Sequence, residues 1–138
     1  MARKILRTDG QTIDLQQVDA DKVFSQELIW TTAEIAKSGS ANLNQTSFAN
    51  KALIKQIIVS ASASTDFDFE IYEEDDFDTK DKIYSSTINN LLMNVTPTNP
   101  IEYLDIDGTS ELHIKIKNDD SSNNSTFTIK IKYVKVQA

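Results

Sequence analysis

Residues 53–77 read LIKQIIVSASASTDFDFEIYEEDDF, and the alternation in this stretch decides the fold. Leu53, Ile57, Val59 and Ala61 share one side of an extended strand, a small polar turn follows at Ser62 to Thr65, and Phe67, Phe69 and Ile71 then alternate with Asp66, Asp68 and Glu70. Successive strand side chains point to opposite faces, so the spacing predicts two strands, joined as a hairpin or passing between adjacent sheets. The second strand has one apolar and one charged face, as in an antiparallel sheet with one side on a core and the other in water. The first is apolar on both sides. Strict alternation sets Ile54 and Ile58 opposite Ile57 and Val59, which predicts a cover from a loop, the N-terminal hairpin or another subunit.

The same pattern returns downstream. Glu111 to Lys117 sets Leu112, Ile114 and Ile116 on one face, and Phe127, Ile129, Ile131 and Tyr133 close the chain as the last core strand. Lys115, Lys117, Lys130 and Lys132 fall on the polar faces of these two strands, which read as a terminal hairpin. Four like charges on one hairpin face repel, so Asp66, Asp68 and Glu70 are the expected counter-charges and the Phe67 strand is expected beside one of the final pair. Residues 83–88 and 101–106 are further short strands. Pro97 and Pro100 bar a central strand between them.

Upstream, Asp9-Gly10 between two β-capable runs predicts a type I′ hairpin within residues 2–18. In residues 19–37, Asp19 or Asp21 could cap a helix carrying Phe24, Leu28, Thr31 and Ile35 on one face. The run Ile29-Trp30-Thr31-Thr32 favours a strand from Leu28 to Ala36, because β-branched and aromatic side chains lose rotamer freedom in a helix. Ala41 to Leu43 begins another strand, and Asn44 to Asn50 is a loop. The expected fold is all-β: an antiparallel β-sandwich, jelly-roll-like, of eight or nine short strands in one domain over residues 1–138.

At 138 residues the chain holds one respectable core, and 39% hydrophobic with 25% charged residues is ordinary for a globular protein. Only three Gly and two Pro leave the turns to Asn, Asp and Ser. A net charge of −7 argues against nucleic acid and anionic membranes as partners. Arg3, Lys4 and Arg7 concentrate basic charge in the first seven residues, an arm suited to an acidic partner. With no cysteine there is no disulfide framework, thiolate nucleophile or Cys-based zinc site. No apolar run approaches ~20 residues and none precedes a cleavage signal, so neither a secreted nor a membrane-spanning protein is expected.

No catalytic constellation is visible, and neither an enzyme nor a cofactor is expected. His113, the single histidine, falls on the polar face of its strand, where the expected reading is a surface residue. Asp66, Asp68 and Glu70 on a solvated face lack the desolvation that separates the two pKa values of a glycosidase pair. Asp75, Asp76 and Asp78 in one loop, or Asp105 and Asp107 beside Gly108, are candidate calcium ligands. Neither matches the twelve-residue calcium loop, and solvated turns are the expected alternative, with no metal site. Trp30, Tyr72, Tyr84 and Tyr103 are the aromatics that a sugar-stacking platform would draw on, against a core position for the lone Trp30.

From Trp30 to Phe77 the order IWTTAEIA, KSGS, ALIKQIIVSASAS and FDFEIYEEDDFD resembles small β-sandwich accessory proteins of tailed bacteriophages. The closing DIDGTSELHIKIKN and STFTIKIKYV are similar to the terminal hairpin of that group. The resemblance implies a non-enzymatic virion protein, a head decoration (cement) subunit or a tail or fibre domain, with the major capsid protein or other virion proteins as partners. It also implies a homo-oligomer, commonly a trimer; a carbohydrate-binding module is the alternative. The residues assigned to partner contact are Arg3, Lys4, Arg7, Ile54, Ile58, Val134 and Val136. The last two break the charged face of the final strand with apolar side chains.

Overall fold

The computed structural model describes residues 25–136. The N-terminal hairpin and the Arg3, Lys4 and Arg7 arm lie outside the described residues. Nine strands follow in order: β1 (Ser25–Thr31), β2 (Ser40–Gln45), β3 (Lys51–Ala61), β4 (Phe67–Tyr72), β5 (Lys82–Ile88), β6 (Leu92–Val95), β7 (Ile101–Leu104), β8 (Leu112–Asn118) and β9 (Phe127–Lys135). A 3-10 turn, Thr79–Asp81, precedes β5.

The strands form two antiparallel sheets. One runs β1-β9-β3-β6, with β7 also on β3, and the other runs β2-β8-β4-β5. The chain changes sheet at every connection except β4 to β5 and β6 to β7, which is the double-sheet jelly-roll arrangement. Strands β6 and β7 occupy successive parts of one edge of β3, pairing with Ile57–Ser60 and Lys51–Ile54 respectively. Pro97 and Pro100 stand in the gap, where a residue without N–H takes nothing from an interior ladder.

All nine residues expected in the core, Phe67, Phe69, Ile71, Leu112, Ile114, Ile116, Phe127, Ile129 and Ile131, are fully buried. Phe67 meets Phe127 edge to face at 5.1 Å between ring centroids, joining the two sheets. Phe48, from the loop after β2, lies 4.4 Å from Tyr133 and 5.3 Å from Tyr103 and closes one end of the core. Of the ambiguous segment, Ser25–Thr31 is strand β1, which starts and ends earlier than the expected Leu28 to Ala36. Ile35 makes only an isolated bridge to Ser125, residues 19–24 lie outside the described residues, and Trp30 packs against the core from β1.

Two expectations are corrected. First, β3 does not alternate strictly. Its register against β9 slips between Ile54 and Gln56, leaving Lys55 as an extra residue. This β-bulge reverses the phase, so Ala52 and Ile54 face the core together with Ile57 and Val59, while Leu53 turns outward. Ile54 is therefore a core residue and not a partner contact. Second, β8 and β9 are not a hairpin, because they belong to opposite sheets. Lys115 and Lys117 lie on one outer face of the sandwich and Lys130 and Lys132 on the other.

The expected neighbour of β4 is present. β4 pairs with β8, with Asp68 opposite Lys117 and Glu70 opposite Lys115. Asp68 and Lys117 stand 3.7 Å apart, but Glu70 takes Lys82 of β5 instead, at 3.2 Å.

Candidate functional site

The chain folds tightly around Asp105 just after β7. One oxygen of its carboxylate accepts from the Asp107 N–H at 3.1 Å, and the other accepts from the Thr109 hydroxyl at 3.2 Å and the Glu111 N–H at 3.1 Å. Gly108 takes φ 72°, the left-handed conformation that favours glycine. Burial acts to raise the Asp105 pKa, but the N–H groups of Glu111 and Ser110 and the Thr109 hydroxyl outweigh it and hold it below the ordinary carboxylate value. Asp107 accepts from the Asp75 N–H at 2.8 Å, which ties this turn to the acidic loop between β4 and β5.

His113 projects from β8 into this junction and is wholly buried, not the surface residue expected from its place on a polar face. It points to the outer side of its sheet, as alternation requires, but that side is roofed by the two loops at this end. Phe77 and Tyr103 stand with ring centroids 6.4 Å from the imidazole. The Nδ1 atom lies 2.9 Å from Asn44 Oδ1 on the neighbouring β2. Among the described residues the Nε2 atom has no hydrogen-bond partner, and it faces Asp105 Oδ1 at 3.6 Å and Asp107 Oδ2 at 3.5 Å.

Asp105 and Asp107 were visible in the sequence as a turn, whereas the third member was not. The available signal was a histidine shortly after an Asp-x-Asp-Gly turn. The packing of the 73–81 loop and of the turn after β7 over β8 buries it.

Beside this junction is a second buried polar group. Tyr72 donates to Glu70 Oε1 at 2.8 Å, and Lys82 donates to Oε2 at 3.2 Å. Burial acts to raise the Glu70 pKa, and the hydrogen bonds from Tyr72 and Lys82 more than reverse this, so its net shift is downward. Burial and the adjacent Glu70 push the Tyr72 phenol up to about 12.

The other acidic loop residues build turns. Asp76 accepts from the Asp78 N–H at 3.0 Å, and Asp78 caps the 3-10 turn by accepting from the Lys80 N–H at 3.2 Å. Glu74, Asp76 and Asp81 come together at the surface; burial, together with the charges of Asp81 and Asp76, raises the Glu74 pKa.

The assigned partner-contact residues within the described part divide. Ile54 is in the core, whereas Ile58 and Val134 lie partly buried on the outer face of the β1-β9-β3-β6 sheet, and Val136 follows β9 with its N–H on Lys51 O at 3.0 Å. Cross-strand pairing sets Ile29, Lys130, Ile58 and Asn94 in one row across that face. Thr31, Thr128, Ser60 and Leu92 form the next row, with a 2.9 Å hydrogen bond between the two threonine hydroxyls. Ile29 and Leu92 are 52% and 51% exposed. Of the aromatics considered for sugar stacking, Tyr72 and Tyr103 are buried and Trp30 and Tyr84 pack against the core.

No protein-family model matches the chain, and no curated protein matches it in sequence. Among solved structures it is similar to a mitogen derived from Yersinia pseudotuberculosis, with 12% identity, 82% of this chain and 88% of that chain covered, and a TM-score of 0.40. It is also similar to PliG of Aeromonas hydrophila, a periplasmic inhibitor of g-type lysozyme, with 8% identity, 80% and 86% coverage and a TM-score of 0.39. A chain of the cyanophage Pam1 capsid asymmetric unit matches with 13% identity, 81% and 82% coverage and a TM-score of 0.33. Superpositions this loose leave the function to be argued from the chain's own residues.

Proposed function

We propose that this chain is a non-enzymatic structural protein of a tailed-phage virion, a decoration or cement subunit. On this reading it docks on the major capsid protein through the outer face of the β1-β9-β3-β6 sheet and associates with copies of itself, as a trimer in the arrangement its sequence resemblance implies. The observation that supports the reading is that outer face. Ile29 and Leu92 are each about half exposed, Ile58 is partly exposed between them, and Leu53 and Val134 are partly exposed further along the same face, past the row of Glu27 and Lys132. Single exposed apolar side chains need no explanation, but a group sharing one sheet face fits a surface that another protein covers. The rows of Ile29 and Leu92 hold neutral Thr31, Thr128, Ser60 and Asn94 with one charge, Lys130, which stands 3.9 Å from Glu27 of the next row, so a partner covering them must leave that ion pair solvated or match it. The jelly roll serves capsid and lectin domains alike and by itself selects neither.

The test is co-sedimentation with heads assembled from the major capsid protein encoded in the same genome, with light scattering on the isolated protein. The double variant Ile29→Asp, Leu92→Asp is expected to fold, because both side chains are half exposed, and to lose head binding and self-association. A wild-type protein that binds neither heads nor itself overturns the proposal, as does a double variant that binds normally.

A further inference from the structure

We propose that Asp105, Asp107 and His113 form a binding site for one divalent transition-metal ion of the zinc or manganese class. The site is independent of the docking face and does not rest on the virion reading.

The argument begins with the imidazole. Asn44 Oδ1 can only accept, so the 2.9 Å contact has Nδ1 donating, and in the neutral ring Nε2 then presents its lone pair. That atom is wholly buried and has no hydrogen-bond partner among the described residues. It faces one oxygen from each of two carboxylates, so three electron-rich atoms converge on one point. Such an arrangement is repulsive until something positive occupies its centre, and the choices are a second proton on the ring or a metal ion.

Distance separates the two. An imidazolium N–H bonded to a carboxylate draws to about 2.7–2.9 Å, and 3.5 and 3.6 Å lie beyond hydrogen-bond range for either oxygen. Two donors each ~2.0–2.2 Å from one ion stand about 3.3–3.6 Å apart when the angle between them is tetrahedral. The observed separations fit the ion.

The donor set narrows the class. One imidazole nitrogen with two carboxylate oxygens suits zinc or manganese, whereas calcium and magnesium prefer all-oxygen ligands. Each donor is also held by a further hydrogen bond: His113 by Asn44, Asp105 by the N–H groups of Asp107 and Glu111 and the Thr109 hydroxyl, and Asp107 by the Asp75 N–H. The His113 and Asp105 side chains have no exposure and that of Asp107 is 19% exposed, so an ion enters from the Asp107 side. Three protein donors leave a coordination position for water or for a donor from a partner. Bound there, the ion clamps the β4–β5 loop, the turn after β7 and the start of β8 together.

The experiment uses the full chain, stripped with EDTA and titrated separately with Zn²⁺, Mn²⁺, Ca²⁺ and Mg²⁺, read by calorimetry, native mass spectrometry and thermal melting. One Zn²⁺ or Mn²⁺ per chain is expected, raising the melting midpoint by about 5 °C or more at a hundredfold excess over Kd. His113→Gln and Asp107→Asn should each weaken binding at least tenfold; Asp107 is partly exposed, so its variant keeps the fold. Asp76→Asn, in the separate surface cluster, should change nothing. The proposal is overturned if the wild type binds no stoichiometric ion, if both site variants bind as the wild type does, or if Asp76→Asn abolishes binding. Calcium binding of equal strength that survives His113→Gln also overturns it.

Discussion

The bulge at Lys55 makes Ile54 and Ile58 unequal, although strict alternation puts them on the same face. Ile54 has no exposure and packs among Ile57, Tyr133 and Ile101, whereas Ile58 lies on the outer face beside Lys130 and Asn94. Truncating Ile54 to Ala removes three buried carbons, about 0.8 kcal/mol each in transfer, and leaves a cavity between two rigid sheets. The sum falls at about 3–4 kcal/mol, inside the range of about 2–5 for buried Ile to Ala changes. The same truncation at Ile58 opens no enclosed cavity and should cost about 1 kcal/mol. Urea unfolding of both variants measures the contrast. With a slope of ~2 kcal/mol/M, a loss of ~3 kcal/mol lowers the midpoint by about 1.5 M, against about 0.5 M for Ile58→Ala. If Ile54→Ala cost no more than Ile58→Ala, the phase reversal and the core built on it would be refuted.

Three further outcomes follow from buried polar groups. The N–H groups of Ser122, Thr65 and Asn123 and the Asn123 side-chain amide hold the Asp120 pKa at about 2, down from 3.8, so its contribution to stability is complete above about 3.8 and is lost as pH falls through about 2. Melting curves of wild type and Asp120→Asn should therefore converge across that window, and a constant difference would count against the assignment. Lys82→Met leaves Glu70 buried with Tyr72 alone, which should cost about 1–3 kcal/mol and raise the Glu70 pKa; a carboxyl titration by NMR that shows no upward movement contradicts the pairing. Asn118, almost fully buried, donates to Ile35 O and Asn123 O and accepts from the Asp120 N–H, so Asn118→Leu should cost about 2–4 kcal/mol and speed amide exchange in residues 119–125; unchanged exchange there would show that the β8–β9 crossing does not depend on it.

The candidate sites were legible to different depths. The Asp107-Gly108 turn and the carboxylate of Asp105 could be found from local chemistry, because turn residues announce themselves within four or five positions. His113 could not be placed from its own strand. Its position on the charged face was read correctly, but whether that face meets water depends on loop 73–81, about thirty to forty residues away in sequence, and on the turn after β7. The apolar outer face was half read. Val134 and Ile58 were picked out from breaks in alternation, whereas Ile29 and Leu92 join the same face only once β1 pairs with β9 and β6 with β3.

By itself the sequence determined the class of fold and the nine central core positions, because a two-residue period places a side chain without reference to its partners. It also determined where most turns fall and that β4 would seek a lysine-bearing neighbour. Only the tertiary structure decided which sheet each strand joins. β8 and β9 have nearly identical patterns and are separated by a short polar loop, and nothing local distinguishes a hairpin from a crossing between sheets. Packing of Phe67 on Phe127 across the core, and the buried Asn118 at the crossing, hold the chosen arrangement. The bulge is of the same kind: one unpaired residue in β3 reverses every side chain on one side of it, and the need to fill the core with Ile54 settles the register that alternation alone misassigns.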